Sequence, residues 1–410
     1  HSTLDVDTQS ALFLFQYWPD LLARMLDQWQ DFHPPGSGFM AHDIGQHLEV
    51  TGNRYGGPES SMQVEENCNY ILLLHHYWRV TANAAILPGK HDLLHELVAF
   101  LIACDTTGSG LPNTHTQNTN DWGSQLVTAS EEQSYHGVRM VTAFSAAAEI
   151  ADHLGDSALA AECRARVDLI NASLAANWLG DHYPISLADP GTAHHYSMWT
   201  THGLLYPLRC GMALDIDLER LRTDLIASTA RTMREHGSAH STADVRGWLT
   251  QNLWRDCIMA YLGLDPTPHF ARYLGHGEYV SYEDTTILEV ANELMVVPGA
   301  VADHHYAGEL HDHPMVDGHP RPACGFGLLY ALAGLQFDRV ARRLRVNPVA
   351  FPLTIALTTL ADWPHERVPW IAMTRAIPNQ DQGPAPSTTA VTILEGADLL
   401  AGFVLEGREP

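Results

Sequence analysis

The chain has almost no lysine: Lys90 is the only one in 410 residues. A lysine nucleophile or a P-loop therefore has next to no material to work with. Basic residues number 23 against 48 acidic ones, a formal net charge of −25. Neutralising phosphates or anionic lipid needs clusters of Lys and Arg, so neither nucleic acid nor a membrane surface is an expected partner. No run approaches the roughly 18 uninterrupted apolar residues of a membrane span, and no signal peptide is visible, which sets a cytoplasmic expectation. The sequence opens at His1, without methionine and already inside a patterned segment, as a fragment or processed product would. Its six cysteines stand singly at wide intervals with no CxxC, the pattern of buried reduced thiols. GxSxG elbows, GxGxxG turns and GxxxxGK[ST] loops are all missing, and no cysteine sits in a nucleophile motif.

What is present is apolar and helical. Apolar residues make up 45% and charged residues 17%, enough to bury a large core. Leu22, Met25, Leu26 and Trp29 recur at helical spacing ahead of the His33-Pro34-Pro35-Gly36 breaker. Val141, Phe144, Ala148, Ala151 and Leu154 do the same, and Gly155-Asp156 stops that helix and caps the next. The next helix carries Leu159, Cys163, Val167, Ile170, Leu174 and Trp178 and ends by Gly180. Further helices are predicted near 62–82, 91–104, 194–212, 217–236, 242–262, 283–295 and 323–334. About ten helices in antiparallel pairs repeating every 40–50 residues predict a mainly α fold, an (α/α)6 toroid, which uses about twelve. On that count one or two helices lie upstream of residue 1. After Gly334 the stretches 335–346, 353–360, 368–377 and 390–405 are short and rich in Val, Ile, Thr and Phe, and they predict a small C-terminal β cap. The expected organisation is a catalytic toroid over 1–334 and a β-rich cap over 335–410.

Carboxylates are the best-supplied chemistry. In Gly38–Gly45, His42 and Asp43 stand beside a turn glycine, with Arg54 following in Arg54-Tyr55-Gly56-Gly57. Such a pair can grip adjacent hydroxyls, since a carboxylate accepts where an imidazole donates; a loop anchored by an Asx-type turn is the plainer reading. Glu65 and Glu66 open a helix, where two carboxylates suit the dipole or, facing a cleft, act on substrate. Asp121-Trp122 lies in a polar loop before a long helix. An acid beside an indole is a candidate general acid, because apolar contact raises its pKa and the ring can stack on a sugar. A plain loop carboxylate is the alternative. The 10 tryptophans and 14 tyrosines, with Trp122, Trp199, Trp248 and Trp254 beside acidic or histidine residues, favour a carbohydrate-like ligand. Histidines number 25. His91 and His95 stand at i and i+4 without the HExxH glutamate, and the run from Asp303 to His319 is irregular, so no catalytic metal and no cofactor is expected.

These motifs carry a resemblance. His1–Asp7, Leu12–Leu14 and Trp18-Pro19-Asp20-Leu21 resemble the segment of glycoside hydrolase family 116 that follows its catalytic nucleophile. Ala41-His42-Asp43-Ile44-Gly45 and Asn120-Asp121-Trp122-Gly123 resemble that family's Pro-His-Asp-Leu-Gly and acid/base loop, and the β-xylosidases of family 52 share both elements. His42–Gly45, Tyr55–Gly57 and Met62–Asn67 are also similar to the His-Asp-Leu-Gly, Tyr-Gly-Gly and Met-Pro-Val-Glu-Glu-Ser-Gly-Asn motifs of glutaminase A proteins, with Gln63 in place of the proline. Together the likenesses span about residues 1–262. They imply a glycosidase acting on β-linked glucosides or xylosides, with Asp121 as acid/base, Asp5 and His42 on sugar hydroxyls, and Trp122 flanking the sugar. Asp43, Arg54, Trp248 and Arg321, the last reaching in from the far side, are further candidate substrate contacts. In both hydrolase families the nucleophile precedes the segment matching His1–Asp7, so Glu65 or Glu66 is the substitute to consider. A glutaminase A-like amidohydrolase and a non-catalytic carbohydrate-binding toroid are the rival readings.

Overall fold

The structure, a computed structural model, describes residues 3–33, 36–46, 49–50, 62–120, 124–234, 237–244, 246–273, 279–281, 324–349, 353–358, 370–375 and 389–407. The first half is a run of helix pairs: α1 (Leu4–Tyr17) with α2 (Pro19–Asp31), α3 (Gln63–Thr81) with α4 (His91–Ala103), then a short α5 (Gln125–Ala129), and α6 (Ser134–Leu154) with α7 (Ser157–Ala176). It continues with α8 (Leu205–Cys210), α9 (Leu218–Thr232), α10 (Leu249–Tyr261), α11 (Thr267–Tyr273) and α12 (Phe326–Leu332).

The two members of a pair differ in what they bury. Along α7 only the stripe Leu159, Ala160, Cys163, Val167, Ile170 and Leu174 is buried, one face of a 3.6-residue period. Along α3 every residue except Arg79 is buried, polar ones included, so this helix has protein on all sides. α1 and α6 are buried in the same way, which makes α1, α3, α6, α8, α10 and α12 an inner ring and α2, α4 and α7 an outer layer. The ring closes on itself, since α12 packs against both α10 and α1. Local chemistry sets the corners: Gly155 ends α6 at φ +81°, and the Asp156 side chain accepts from the Leu159 amide to cap α7.

Beyond α12 the described elements are strands. β1 (Gln336–Asp338), β2 (Arg343–Val346) and β6 (Val404–Gly407) form one three-stranded sheet, and β3 (Leu353–Thr358), β4 (Trp370–Arg375) and β5 (Thr389–Glu395) another. Phe337, Leu344 and Val346 belong to the same hydrophobic core as the helices. The Arg79 guanidinium binds the buried Asp338 carboxylate, tying α3 to β1. The fold class is therefore the expected one, an (α/α)6 toroid with a small β cap. No described helix is long and apolar enough to cross a membrane.

Three predicted helices differ. Over 194–212 only a turn at His202–Leu204 and α8 are helical. The backbone of 196–198 instead bonds sideways to 240–242, with Met198 N–H on His240 C=O at 3.1 Å and Thr242 N–H on Tyr196 C=O at 2.9 Å. Gly203 then lies against α6 so closely that a Cβ there would sit 2.6 Å from Arg139 Cα. The helix expected from 242 begins at Leu249, because 246–248 pairs with 279–281 as a short antiparallel ladder. α9 stops at Thr232, and 233–234 turns back onto 237–238. The helix expected over 283–295 lies outside the described residues.

Candidate active site

The inner helices share a direction, and polar side chains gather where they begin. Asp5 stands in the first turn of α1, Gln63, Glu65 and Glu66 in that of α3, and Tyr135 and His136 in that of α6. Arg139 follows one turn into α6, His202 stands just ahead of α8, and Gln251 near the start of α10. All of these are buried. Each helix start contributes unpaired N–H groups and a partial positive charge, so convergent N-termini favour carboxylates, and acceptor-rich ligands with them.

The carboxylates are tied by a chain of contacts that crosses the ring. Thr119 Oγ donates to Asp5 Oδ2 at 2.6 Å, while its backbone N–H donates to Glu65 Oε2 at 2.9 Å. Glu65 Oε1 meets the Arg139 guanidinium at 3.3 Å, and that guanidinium also donates to Asn69 Oδ1. Asn69 donates in turn to Glu66 Oε2 at 2.9 Å. From the other side His42 Nε2 approaches Asp5 Oδ1 to 3.8 Å. His42 is steadied through Nδ1 by Asp43 at 3.3 Å, and Asp43 itself accepts the Gly45 amide at 3.0 Å. The loop bearing His42 is pinned by Asn67, which accepts from Met40 N–H at 2.8 Å and donates to Gly38 and Leu97 carbonyls.

The two glutamates thus end in different states. Both oxygens of Glu65 are engaged. Glu66 is fully buried and its Oε1 has no hydrogen-bond partner among the described residues. Burial first, then the neighbouring Asp5 and Glu65 carboxylates, push the Glu66 carboxyl well above the usual range. Glu65 is also raised by burial, with Arg139 opposing the shift. Side-chain atoms of Asp5, His42 and Glu66 lie within 4.8 Å of one another. The side-chain amides of Gln63 and Asn120 add buried polar atoms with no partner among the described residues. Beside them Trp199 stacks on His202 at 4.4 Å and donates through Nε1 to His240 at 3.0 Å. Burial holds His202 well below the usual histidine value, so its ring is neutral.

Of the residues singled out in the sequence, Asp5, His42, Glu65 and Glu66 come together, and Asp43 stands behind His42. Asp121, Trp122, Arg54 and Arg321 lie outside the described residues. Trp248 has its backbone in the 246–248 strand, paired with Tyr279, and its side chain is outside the described set. Trp254 is a core residue of α10 whose Nε1 donates to His202 C=O at 2.9 Å, so it is no sugar platform. Thr119, Arg139, Asn69, Gln63 and His202 escaped the sequence reading. A buried arginine one turn into a helix looks like any other helical arginine until its partner 74 positions away is known. The Asp5–His42–Glu66 donor set would also suit a divalent cation, a possibility that a chelator tests.

Convergent inner helices with carboxylates at their starts define this as an α/α-toroid protein with a carboxylate-lined site at one end of the ring. Residues 1–226, more than half of the chain, match the family described as the glutaminase A six helical-hairpin domain. The chain belongs to that family. No curated protein sequence matches it significantly. Among solved structures it is similar to a GH78 family rhamnosidase of Bacillus sp. GL1, at a TM-score of 0.59 and 14% identity, over 99% of this chain and 38% of that one. It is also similar to an α-L-rhamnosidase from Dictyoglumus thermophilum, at a TM-score of 0.57 and 12% identity, over 91% and 38%. At such identities the likeness carries the fold. The chain spans less than two fifths of either protein.

Proposed function

We propose that this chain is the catalytic toroid of a glycoside hydrolase. The observation that carries the reading is the cluster of Asp5, His42 and Glu66, within 4.8 Å of one another at the end of the ring where the inner helices begin. Asp5 and His42 offer an acceptor and a donor side by side, the pattern that holds vicinal hydroxyls. Glu66, with one oxygen lacking a partner among the described residues and its pKa raised by burial, is placed to act as a proton donor. Glu65 is held by Arg139 and Thr119 and serves to position its neighbours. Asp121 stands two residues after Thr119, which bonds both Asp5 and Glu65, and we assign it as the second carboxyl group of the pair. Trp122, Arg54, Trp248 and Arg321 complete the proposed substrate contacts. In this reading residues 1–334 form the toroid and 335–410 the cap.

The resemblance to families 116 and 52 favours β-linked glucosides or xylosides, while the two solved structures above are described as rhamnosidases. A panel of aryl β-glucoside, aryl β-xyloside and aryl α-L-rhamnoside therefore tests the reading. Hydrolysis of one panel member should fall by about 10²–10⁴-fold in both Glu66→Gln and Asp121→Asn. Turnover unchanged in these variants would sink the assignment. Sugar binding by calorimetry without hydrolysis of any glycoside would support the binding-toroid reading instead.

The family name supports a second reading, amide hydrolysis of glutamine. A cysteine nucleophile is poorly placed for it: all six thiols are buried, and burial pushes that of Cys68, in the same helix as Glu65 and Glu66, far up. Ammonia released from glutamine with no glycoside cleaved would establish the second reading over the first.

A further inference from the structure

A second convergence of ligating side chains lies on the outer layer, outside the ring of inner-helix starts. His91 and His95 are one turn apart on α4, and both aim Nε2 at the same atom, Asp156 Oδ2, at 3.0 Å and 2.7 Å. Their rings meet edge to face with centroids 4.8 Å apart. Asp156 comes from a different helix pair, at the corner between α6 and α7. We propose that His91, His95 and Asp156 form a site for a borderline transition-metal ion of the zinc type, which clips α4 to the start of α7.

The geometry asks little movement. Ligand bonds of roughly 2.0–2.2 Å in a tetrahedral zinc site place neighbouring donor atoms about 3.3–3.5 Å apart. The contacts to Asp156 need to open by about 0.3–0.5 Å at His91 and about 0.6–0.8 Å at His95, and the two imidazoles are partly exposed and can swing. The carboxylate is preset for the task. Its other oxygen, Oδ1, accepts the Leu159 amide at 3.0 Å, which fixes the direction of Oδ2. The same amide, followed by the imidazole of His95, holds the Asp156 carboxyl down at about 2, so it is ionised at neutral pH. Exposure of the histidines leaves room for water as the fourth ligand. Two imidazoles and one carboxylate select zinc, cobalt, nickel or copper over magnesium and calcium, which prefer all-oxygen shells. Because the two histidines belong to one helix pair and the aspartate to another, a bound ion cross-links the pairs and stabilises the folded chain.

The test is titration of the metal-stripped full chain with zinc chloride, by calorimetry and by thermal unfolding, in the wild type, Asp156→Asn and His91→Gln/His95→Gln. Asparagine caps helices about as well as aspartate, so Asp156→Asn should leave the metal-free melting temperature within about 2 °C of the wild type. The wild type should bind one equivalent more than the double histidine variant. Asp156→Asn should weaken that equivalent at least tenfold, and the zinc-induced rise in melting temperature should be smaller in both variants than in the wild type. Equivalents taken up by other histidines, such as His304, His305, His311 and His313, are common to all three proteins and cancel. The same number of equivalents at the same affinity in all three overturns the proposal, as does a zinc-induced stabilisation as large in the double variant as in the wild type.

Discussion

Glu66→Gln should leave the protein more stable and the site inert. Glu66 is fully buried, with Oε2 on Asn69 and Oε1 unpartnered among the described residues, and an Asp5 oxygen lies within 4.8 Å. Two full charges at that separation repel by about 3.5 kcal/mol at an effective dielectric constant of about 20. The amide keeps the shape and an acceptor for Asn69 while removing the charge. Relaxation and the weaker hydrogen bond to a neutral acceptor offset part of the gain, so a net stabilisation of about 1–3 kcal/mol is expected at pH 8. The sign follows from the raised pKa. A native Glu66 retains its proton where the unfolded chain has lost it, so the wild type sheds stability as pH climbs from about 4.3 towards the raised value. The variant lacks that titration, and its advantage should shrink towards pH 4.5. Urea unfolding of both proteins at pH 4.5 and pH 8 reads this out, alongside the glycoside panel. If Glu66→Gln instead destabilises the protein by 1 kcal/mol or more at pH 8, the carboxylate is compensated by a cation, and the account of a strained acid is wrong.

Four further outcomes follow from the same geometry. Arg139→Met strands the buried Glu65 carboxylate and should cost about 3–5 kcal/mol by denaturant unfolding, much of it restored by adding Glu65→Gln; an unrestored double variant would contradict the pairing. Gly203→Ala forces a Cβ to 2.6 Å from Arg139 Cα and should cost about 1–3 kcal/mol, with a fall in any glycosidase activity as Arg139 is displaced. Asp224 is raised to about 7 by burial, against the Tyr183 amide and Ser228 hydroxyl that it accepts. Its contribution is full below about 4 and lost as pH rises through about 7, so Asp224→Asn should gain on the wild type by up to about 4 kcal/mol across that interval; a pH-independent difference would refute this. Prolonged chelation should leave glycoside turnover unchanged if Asp5, His42 and Glu66 bind sugar and not an ion, and loss of turnover restored by metal would show the opposite.

Much of the fold was legible because its determinants are local. The stripe of α7, the Gly155–Asp156 corner and the switch to short Val- and Ile-rich strands after Gly334 each act over a few residues. The site was half legible. His42-Asp43 and Glu65-Glu66 stand out as motifs, but the sequence offered no ground for choosing between the two glutamates. Arg139 and Thr119 make that choice by engaging one and leaving the other. The stretch 194–212 misled for a related reason: its apolar residues suit a helix, whereas the lateral bonds to 240–242 that replace it come from a distant segment.

By itself, then, the sequence determined most of the helical segments, where most of them turn, the excess of acid over base, and the carboxylate and histidine motifs. Those properties depend on spacings of a few residues. Only the tertiary structure decided that Asp5, His42 and Glu66 share one buried cluster, and that Asp156 closes on His91 and His95. The reason is ring closure. Packing α12 against α1 and stacking the inner helices in one direction brings together side chains separated by 24–114 positions, and such distances leave no trace in periodicity.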